Sequence, residues 1–225
     1  VPQAPAQLEP LLLETRSPDG VVTLTLNRPA QFNSLSEEML AALQAAFDRL
    51  GADAGARVIV IAAAGKAFCA GHDLKQMKSN PRQEYYEKLF ADCAKLMLTI
   101  QRVPQPVIAR IQGIATAAGC QLVATCDLAV AAEGTRFGVN GIDVGLFCSS
   151  PSVALARNVG RKQAFEMLVT GEFIDAATAR ARGLVNRVVP ADQLDAEVGR
   201  LAAAIVAKPG VAIGMGKGLF YRQLE

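Results

Sequence analysis

Apolar and polar residues first fall into register at Val21–Leu26 (VVTLTL), a β-branched stretch of period two that predicts a strand and ends at Asn27-Arg28-Pro29. Ser34 followed by Glu37 has the spacing of a capping box, opening a helix with Leu40, Leu43, Phe47 and Leu50 on one face. Arg57–Ala63 is a continuous apolar run, the mark of a strand buried on both faces. A glycine-containing loop, Gly65 to Asp73, leads to a helix carrying Tyr86, Leu89, Phe90, Cys93, Leu96, Met97 and Ile100 at spacings of three and four. Pro104 and Pro106 end that helix, and Pro106–Ile111 predicts a second buried strand. Gly113 to Gly119 is a small-residue turn into a short helix, Cys120–Thr125, and Leu128–Ala132 is again strand-like. Helices are expected near 151–158, 161–170, 175–182 and 191–207, with a short apolar run, Leu184–Val189, between the last two. Strand and helix alternate over the first two thirds and helices dominate the last. The expectation is an α/β fold with right-handed crossovers and a helical C-terminal region. It forms a single domain over 1–225, with its core at about 14–190 and its helical C-terminal part at about 191–225.

Composition narrows the function classes. The chain has 225 residues, 51% hydrophobic, with 20% charged and a net charge of +2. That is enough for one full core and gives no basic surface for nucleic acid or membrane. No apolar run reaches transmembrane length. Val1 to Leu13 has no basic n-region, so it does not read as a signal peptide. Five cysteines, an odd number without a C-x-x-C pair, disfavour disulfide and zinc frameworks. The only histidine is His72, which excludes a His-rich metal site. A reducing, cytoplasmic compartment is expected.

Two small-residue turns are candidate chemistry. Ala70-Gly71-His72-Asp73 follows the first buried strand and Ala117-Ala118-Gly119-Cys120 follows the second. Small side chains let a ligand approach the backbone, and free N–H groups at a helix start carry partial positive charge. Facing each other, such turns form an oxyanion hole from main-chain donors alone. On spacing alone, close strand–helix packing explains the same residues.

The stretch Gly65 to Met77 (GKAFCAGHDLKQM) resembles the G-x-x-F-(C/S/A)-A-G-x-D-L motif of the crotonase, or enoyl-CoA hydratase/isomerase, family. Pro106 to Asp127 (PVIARIQGIATAAGCQLVATCD) resembles its second signature. Asn27-Arg28-Pro29 through Asn33-Ser34-Leu35 resembles its N-R-P…N-A-L start, and Val159 to Val189 its V-G…L-T-G…G-L-V block. The four motifs are in order and cover roughly residues 20 to 205.

The resemblance implies a spiral of ββα units and an enzyme of the lyase or isomerase class acting on acyl-CoA thioesters in fatty-acid metabolism. Coenzyme A would be part of the substrate, with no other cofactor and no metal. The family's usual assembly is a homotrimer or a dimer of trimers. The thioester oxygen would sit between the main-chain N–H groups of His72 and Ala118, with Ala70, Gly71, Asp73, Leu74 and Lys75 in the substrate-binding turn. The His72 ring either faces solvent or points into the site as an acid or base. Asp73 is expected to cap the next helix, and Lys75 and Lys78 either meet the CoA phosphates or are merely solvated. The pattern breaks at the two hydratase glutamates, whose positions hold Gln121 and Gly141. Glutamine holds a water but cannot cycle a proton, and glycine holds nothing. Asp143 is expected to be structural, and the Cys148-Ser149-Ser150-Pro151 loop to form a pocket wall or helix cap. Glutamate at both 121 and 141 should restore hydration if only the acids are missing. Family chains also continue past Gln223-Leu224-Glu225, so the C-terminal helical part is expected to be incomplete, leaving the pocket lid and trimer contacts open.

Overall fold

The computed structural model describes residues 9–224. The sequence reading of Val1–Leu8 and the terminal Glu225 lie outside them. In chain order the strands and helices are β1 (Leu12–Arg16), β2 (Val21–Leu26), α1 (Glu37–Gly51), β3 (Val58–Ala63), α2 (Leu74–Ser79), α3 (Gln83–Arg102), β4 (Val107–Ile111), β5 (Ile114–Thr116), α4 (Ala118–Thr125), β6 (Leu128–Ala132), β7 (Arg136–Gly138), α5 (Ser149–Asn158), α6 (Arg161–Thr170), β8 (Ile174–Asp175), α7 (Ala176–Ala181), β9 (Arg187–Val189), α8 (Leu194–Val206) and α9 (Gly210–Arg222). Six strands make one sheet in the order β1-β2-β3-β4-β6-β9, antiparallel only between β1 and β2. A second sheet, β5-β7-β8, stands beside it.

The unbroken apolar run at β3 does what its pattern predicts. Ile59 and Ile61 enter the main core with Leu24, Leu43 and Leu96. Val58 and Val60 face the other way, onto a smaller cluster with Leu194 and Val198 of α8. Burial on both faces explains why no polar residue interrupts the strand.

Four sequence expectations need correction. The cap of α1 is Ser36, whose hydroxyl accepts from Met39 N–H, not Ser34. Ser34 is unavailable because Leu35 N–H is already bonded to the Gly71 carbonyl, 2.8 Å away, which holds that segment extended. The turn at Gly113–Gly119 contains strand β5, too short for a periodicity to show, and the following helix starts two residues early, at Ala118. Strand β1 pairs along its whole length with β2 although no apolar alternation marks it, because its residues lie at an edge and stay largely exposed. Helix α9 lies inside the helical part expected at about 191–225, but its bounds were not marked, since it buries none of its residues. Among the described residues no single helix is long and apolar enough to cross a membrane.

Candidate active site

The first turn is positioned by a buried asparagine. Asn33, fully enclosed, donates from its amide to the carbonyls of Ala64 and Ala67 at 2.9 and 2.8 Å and accepts from Arg28 N–H at 2.8 Å. Ala70 N–H bonds Phe32 O at 3.1 Å. Asp73 then caps α2 as expected, its Oδ1 accepting from Lys75 and Gln76 N–H at 2.8 and 3.2 Å. Leu74 and Lys75 are exposed on that helix. Nothing in the motif spacing distinguished Asn33 as the residue that fixes the turn. Its burial is the signal, and burial is invisible in a sequence.

The second turn is built against the first. Thr116 N–H bonds Cys69 O at 3.0 Å, Ala117 N–H bonds Gly138 O at 2.9 Å, and Cys69 pairs with Ala115 across the gap. Gly71 has φ +86°, and a Cβ there would lie 2.9 Å from Ala117 Cβ and 3.2 Å from Ala118 N. The His72 segment and the start of α4 therefore abut. Ala118 is the first residue of α4, so its N–H has no partner one turn back. Among the described residues neither His72 N–H nor Ala118 N–H is spent on a main-chain hydrogen bond. Two unspent donors on abutting turns are what a developing oxyanion requires.

Replacing the family's glycine at Ala118 is harmless because that residue is helical. The strain falls one residue earlier, on Ala117, with φ 50° and ψ −121°. An L-residue there costs on the order of 1–3 kcal/mol. Ala117→Gly is expected to stabilise the protein by about 1 kcal/mol or more, a rise of roughly 2–4 °C per kcal/mol in the melting temperature, measured by thermal unfolding.

Gln121 and Gly141, which the resemblance sets at the two glutamate positions, behave differently. Gln121 is one turn past Ala118, only 6% exposed, and its Oε1 is buried without a hydrogen-bond partner. Residues three apart on a helix share a face, so Gln121 lies on the same face of α4 as Ala118. Gly141, by contrast, is closed. A Cβ at 141 would stand 2.5 Å from Leu146 O and 2.8 Å from Cys148 Sγ, and Gly141 N–H already bonds that sulfur at 3.3 Å. The expectation that glutamates at both positions restore hydration is thus revised: the backbone of Leu146 leaves no room for any side chain at 141. Gly141→Glu should destabilise by about 1–3 kcal/mol and add no hydration, even with Gln121→Glu, as read by melting and by loss of the enoyl thioester chromophore.

Neither Asp143 nor Cys148 takes over the acid's role. Asp143 is exposed, and its Oδ1 lies where a Cβ on Gly171 would come within 2.7 Å, outside the turn pair. Burial pushes the Cys148 thiol up, so it is a neutral wall rather than a nucleophile. Thr116 and Asn140 hydrogen-bond each other beside the second turn, an uncharged pair that the sequence reading missed.

His72 does not face solvent. Its ring packs edge-on against Phe90 with centroids 5.5 Å apart, and Nδ1 is buried without a partner. Desolvation lowers its proton affinity below the ordinary histidine value, against a smaller opposing hydrogen-bond contribution from the Leu35 main chain.

A family model described as enoyl-CoA hydratase/isomerase matches residues 16–225. A crystal structure of an enoyl-CoA hydratase from Mycobacterium smegmatis superposes with a TM-score of 0.96 at 66% identity, over 96% of this chain and 84% of that one. The human enoyl coenzyme A hydratase domain-containing protein 3 superposes at 0.92 with 43% identity, over 96% and 85%. The mouse protein named enoyl-CoA hydratase domain-containing protein 3, mitochondrial, is 43% identical over 98% of this chain and 74% of its own length. The paired turns, the spiral of sheet and helix and these matches agree: the chain belongs to the enoyl-CoA hydratase/isomerase family, the crotonases, whose members act on acyl-CoA thioesters.

Proposed function

We propose that this protein binds an acyl-CoA thioester with its carbonyl oxygen between His72 N–H and Ala118 N–H, and stabilises an enolate there without hydrating a double bond. The observation that carries this reading is the pair of unspent donors on abutting turns, in a site where Gln121 and Gly141 stand at the acid positions. Each general acid or base supplies typically ~10²–10⁴-fold, so losing both takes hydration out of the useful range. Coenzyme A is part of the ligand, and no further cofactor or metal is needed for this chemistry. The test is paired: calorimetric binding of acyl-CoA, then crotonyl-CoA hydration. Binding with negligible hydration supports the reading, brisk hydration removes its second half, and no binding removes it entirely. A second reading, an acyl-CoA binder without turnover, is favoured by the neutral Gln121 carboxamide.

We infer a homotrimer or a dimer of trimers. Support comes from exposed Val153 on α5, Phe165 and Val169 on α6, and Phe147 just before them, a cluster of large apolar side chains open to water. Light scattering reads the mass, and Phe165→Glu should lower it. A reducing compartment suits the five unpaired cysteines. The cytoplasm meets that need, and so does the organelle in the mouse relative's name.

A further inference from the structure

An enolate made from an ordinary acyl thioester needs a base to remove the Cα proton, and the described residues of this site offer none. Gln121 Oε1 and His72 Nδ1 are enclosed, out of a ligand's reach. Asp73 Oδ1 is engaged by two N–H groups of α2. Burial pushes the thiols of Cys69, Cys93 and Cys120 up to about 12. An enolate still forms where its electron pair comes from a carbon–carbon bond instead. We propose that the substrate is a 2-carboxyacyl-CoA of the malonyl type, which loses its carboxylate as carbon dioxide, and that the Asn140 carboxamide, positioned by Thr116, holds that carboxylate. The inference rests on the acyl-CoA reading above and names its substrate class.

Thr116 stands between the two turns. Its N–H bonds Cys69 O at 3.0 Å, and its carbonyl oxygen lies 3.1 Å from where a Cβ on Gly71 would stand. It precedes Ala118 by two residues, a span of at most about 7 Å. Its hydroxyl donates to Asn140 Oδ1, which fixes the carboxamide beside the second turn. Among the described residues that is the one side-chain hydrogen bond either residue makes. An amide whose oxygen is taken has its NH2 donors left to offer. Asn140 Nδ2 is not among the enclosed atoms, and both residues are half-buried, so this donor is open to a ligand where His72 Nδ1 and Gln121 Oε1 are not. In a malonyl-type thioester the carboxylate oxygens lie within about 5 Å of the thioester oxygen. One small acyl group therefore reaches both the Ala118 N–H and the Asn140 amide.

A neutral donor suits the step. Charge leaves the carboxylate and arrives on the thioester oxygen as the bond breaks. A cation on the carboxylate would stabilise the starting charge. The amide fixes its direction, while His72 N–H and Ala118 N–H receive the charge that develops. The bond from Cα to the carboxylate breaks, its electron pair becomes the carbon–carbon double bond of the enolate, and carbon dioxide leaves. Water then protonates Cα, and the hydroxide left behind combines with carbon dioxide as bicarbonate. No proton is taken from or given to a side chain.

The experiment incubates wild-type protein with malonyl-CoA in D2O, reads bicarbonate and carbon dioxide release, and weighs the acetyl-CoA formed. The same protein is incubated with butyryl-CoA, and its binding is followed by calorimetry. The expected results are release from malonyl-CoA with deuterium entering the product at Cα, and butyryl-CoA that binds without exchanging its Cα hydrogens. Asn140→Ala should lose about 10- to 100-fold in kcat/KM for malonyl-CoA, the worth of one hydrogen bond to a charged group. Thr116→Val should lose part of that, and Thr116→Ser, which keeps the hydroxyl, should restore it. Butyryl-CoA binding without release from malonyl-CoA overturns this inference alone, and the wild-type result decides that even if a variant does not fold. Cα exchange in butyryl-CoA as fast as release from malonyl-CoA overturns it too, because a base would then be present. Release by Asn140→Ala within threefold of wild type overturns the role of Asn140. Absence of butyryl-CoA binding overturns the acyl-CoA reading as well.

Discussion

Gly119→Ala is expected to disable the proposed acyl-CoA site and to lower stability at the same time. A Cβ at 119 would stand 2.2 Å from Cys69 O, 2.8 Å from Cys69 C and 2.9 Å from Cys69 Cβ. The first two atoms are main chain, so no side-chain rotation relieves the overlap. The segment ending in Cys69 must retreat from α4, breaking the 3.0 Å bond from Thr116 N–H to Cys69 O and carrying Gly71 and His72 with it. The two proposed oxyanion donors, His72 N–H and Ala118 N–H, sit on opposite sides of this contact. A displacement of about 1 Å between catalytic groups costs on the order of 10²-fold in rate, and overpacking a tight contact costs about 1–3 kcal/mol. Acyl-CoA titration calorimetry, release of carbon dioxide from malonyl-CoA and thermal melting read the three consequences. Gly216→Ala is the control, because a Cβ on that helical glycine meets nothing within 4 Å. It should gain roughly 0.5–1 kcal/mol from helix propensity. Equal behaviour of the two variants would show that the turns are not packed backbone to backbone.

The second large effect concerns stability alone. Lys217 reaches inward from α9 and donates to Ile100 O and Gln105 O at 2.9 Å each and to Asp127 Oδ2 at 2.6 Å. The two side chains are 7% and 14% exposed. Asp127 also accepts from Tyr221 at 2.7 Å and from Val107 N–H at 2.6 Å, so every charge in the cluster is hydrogen-bonded. Desolvation lowers the Lys217 proton affinity, and the Asp127 carboxylate opposes it. Lys217→Met removes one partner and leaves a buried carboxylate short of its cation. Such a break costs about 3–5 kcal/mol, a fall of roughly 6–20 °C in the melting temperature. Helix α9 buries no residue of its own, so it should detach first. Limited proteolysis ought then to cut within 210–222 before the rest of the chain. A double change to apolar residues at 127 and 217 should recover part of the loss, because the penalty belongs to the unpaired charge rather than to the absence of a salt bridge.

The strands and helices that pack on two sides were legible from the sequence, because continuous apolar runs and three-four spacings record burial directly. Helix α6 falls on the expected residues 161–170, and β3 and β4 begin within one residue of expectation. Elements held by something other than their own apolar face escaped. Strand β5 is three residues long and is specified by β7 and by the Cys69 segment. Helix α9 is tied to Asp127 by Lys217 and Tyr221, with Val211, Met215 and Leu219 facing outward. The cap of α1 moved to Ser36 because a contact from 36 residues downstream, Gly71, claimed Leu35 first.

The candidate site divides along the same line. By itself the sequence determined the residue types in its motifs: His72 and Ala118 in the paired turns, Gln121 and Gly141 at what the resemblance implies are the hydratase acid positions, and Asp73 placed to cap α2. Those facts follow from residue identity and order. Only the tertiary structure decided what the positions can do. It put the strain on Ala117 rather than Ala118, closed position 141 with the Leu146 backbone, and left Nδ1 of the one histidine enclosed and unpaired. The physical reason is that room, strain and hydrogen-bond satisfaction depend on the distance between segments far apart in the chain. The distances that matter here, between Gly119 and Cys69 or Gly141 and Leu146, are set by packing and are not written in either segment alone.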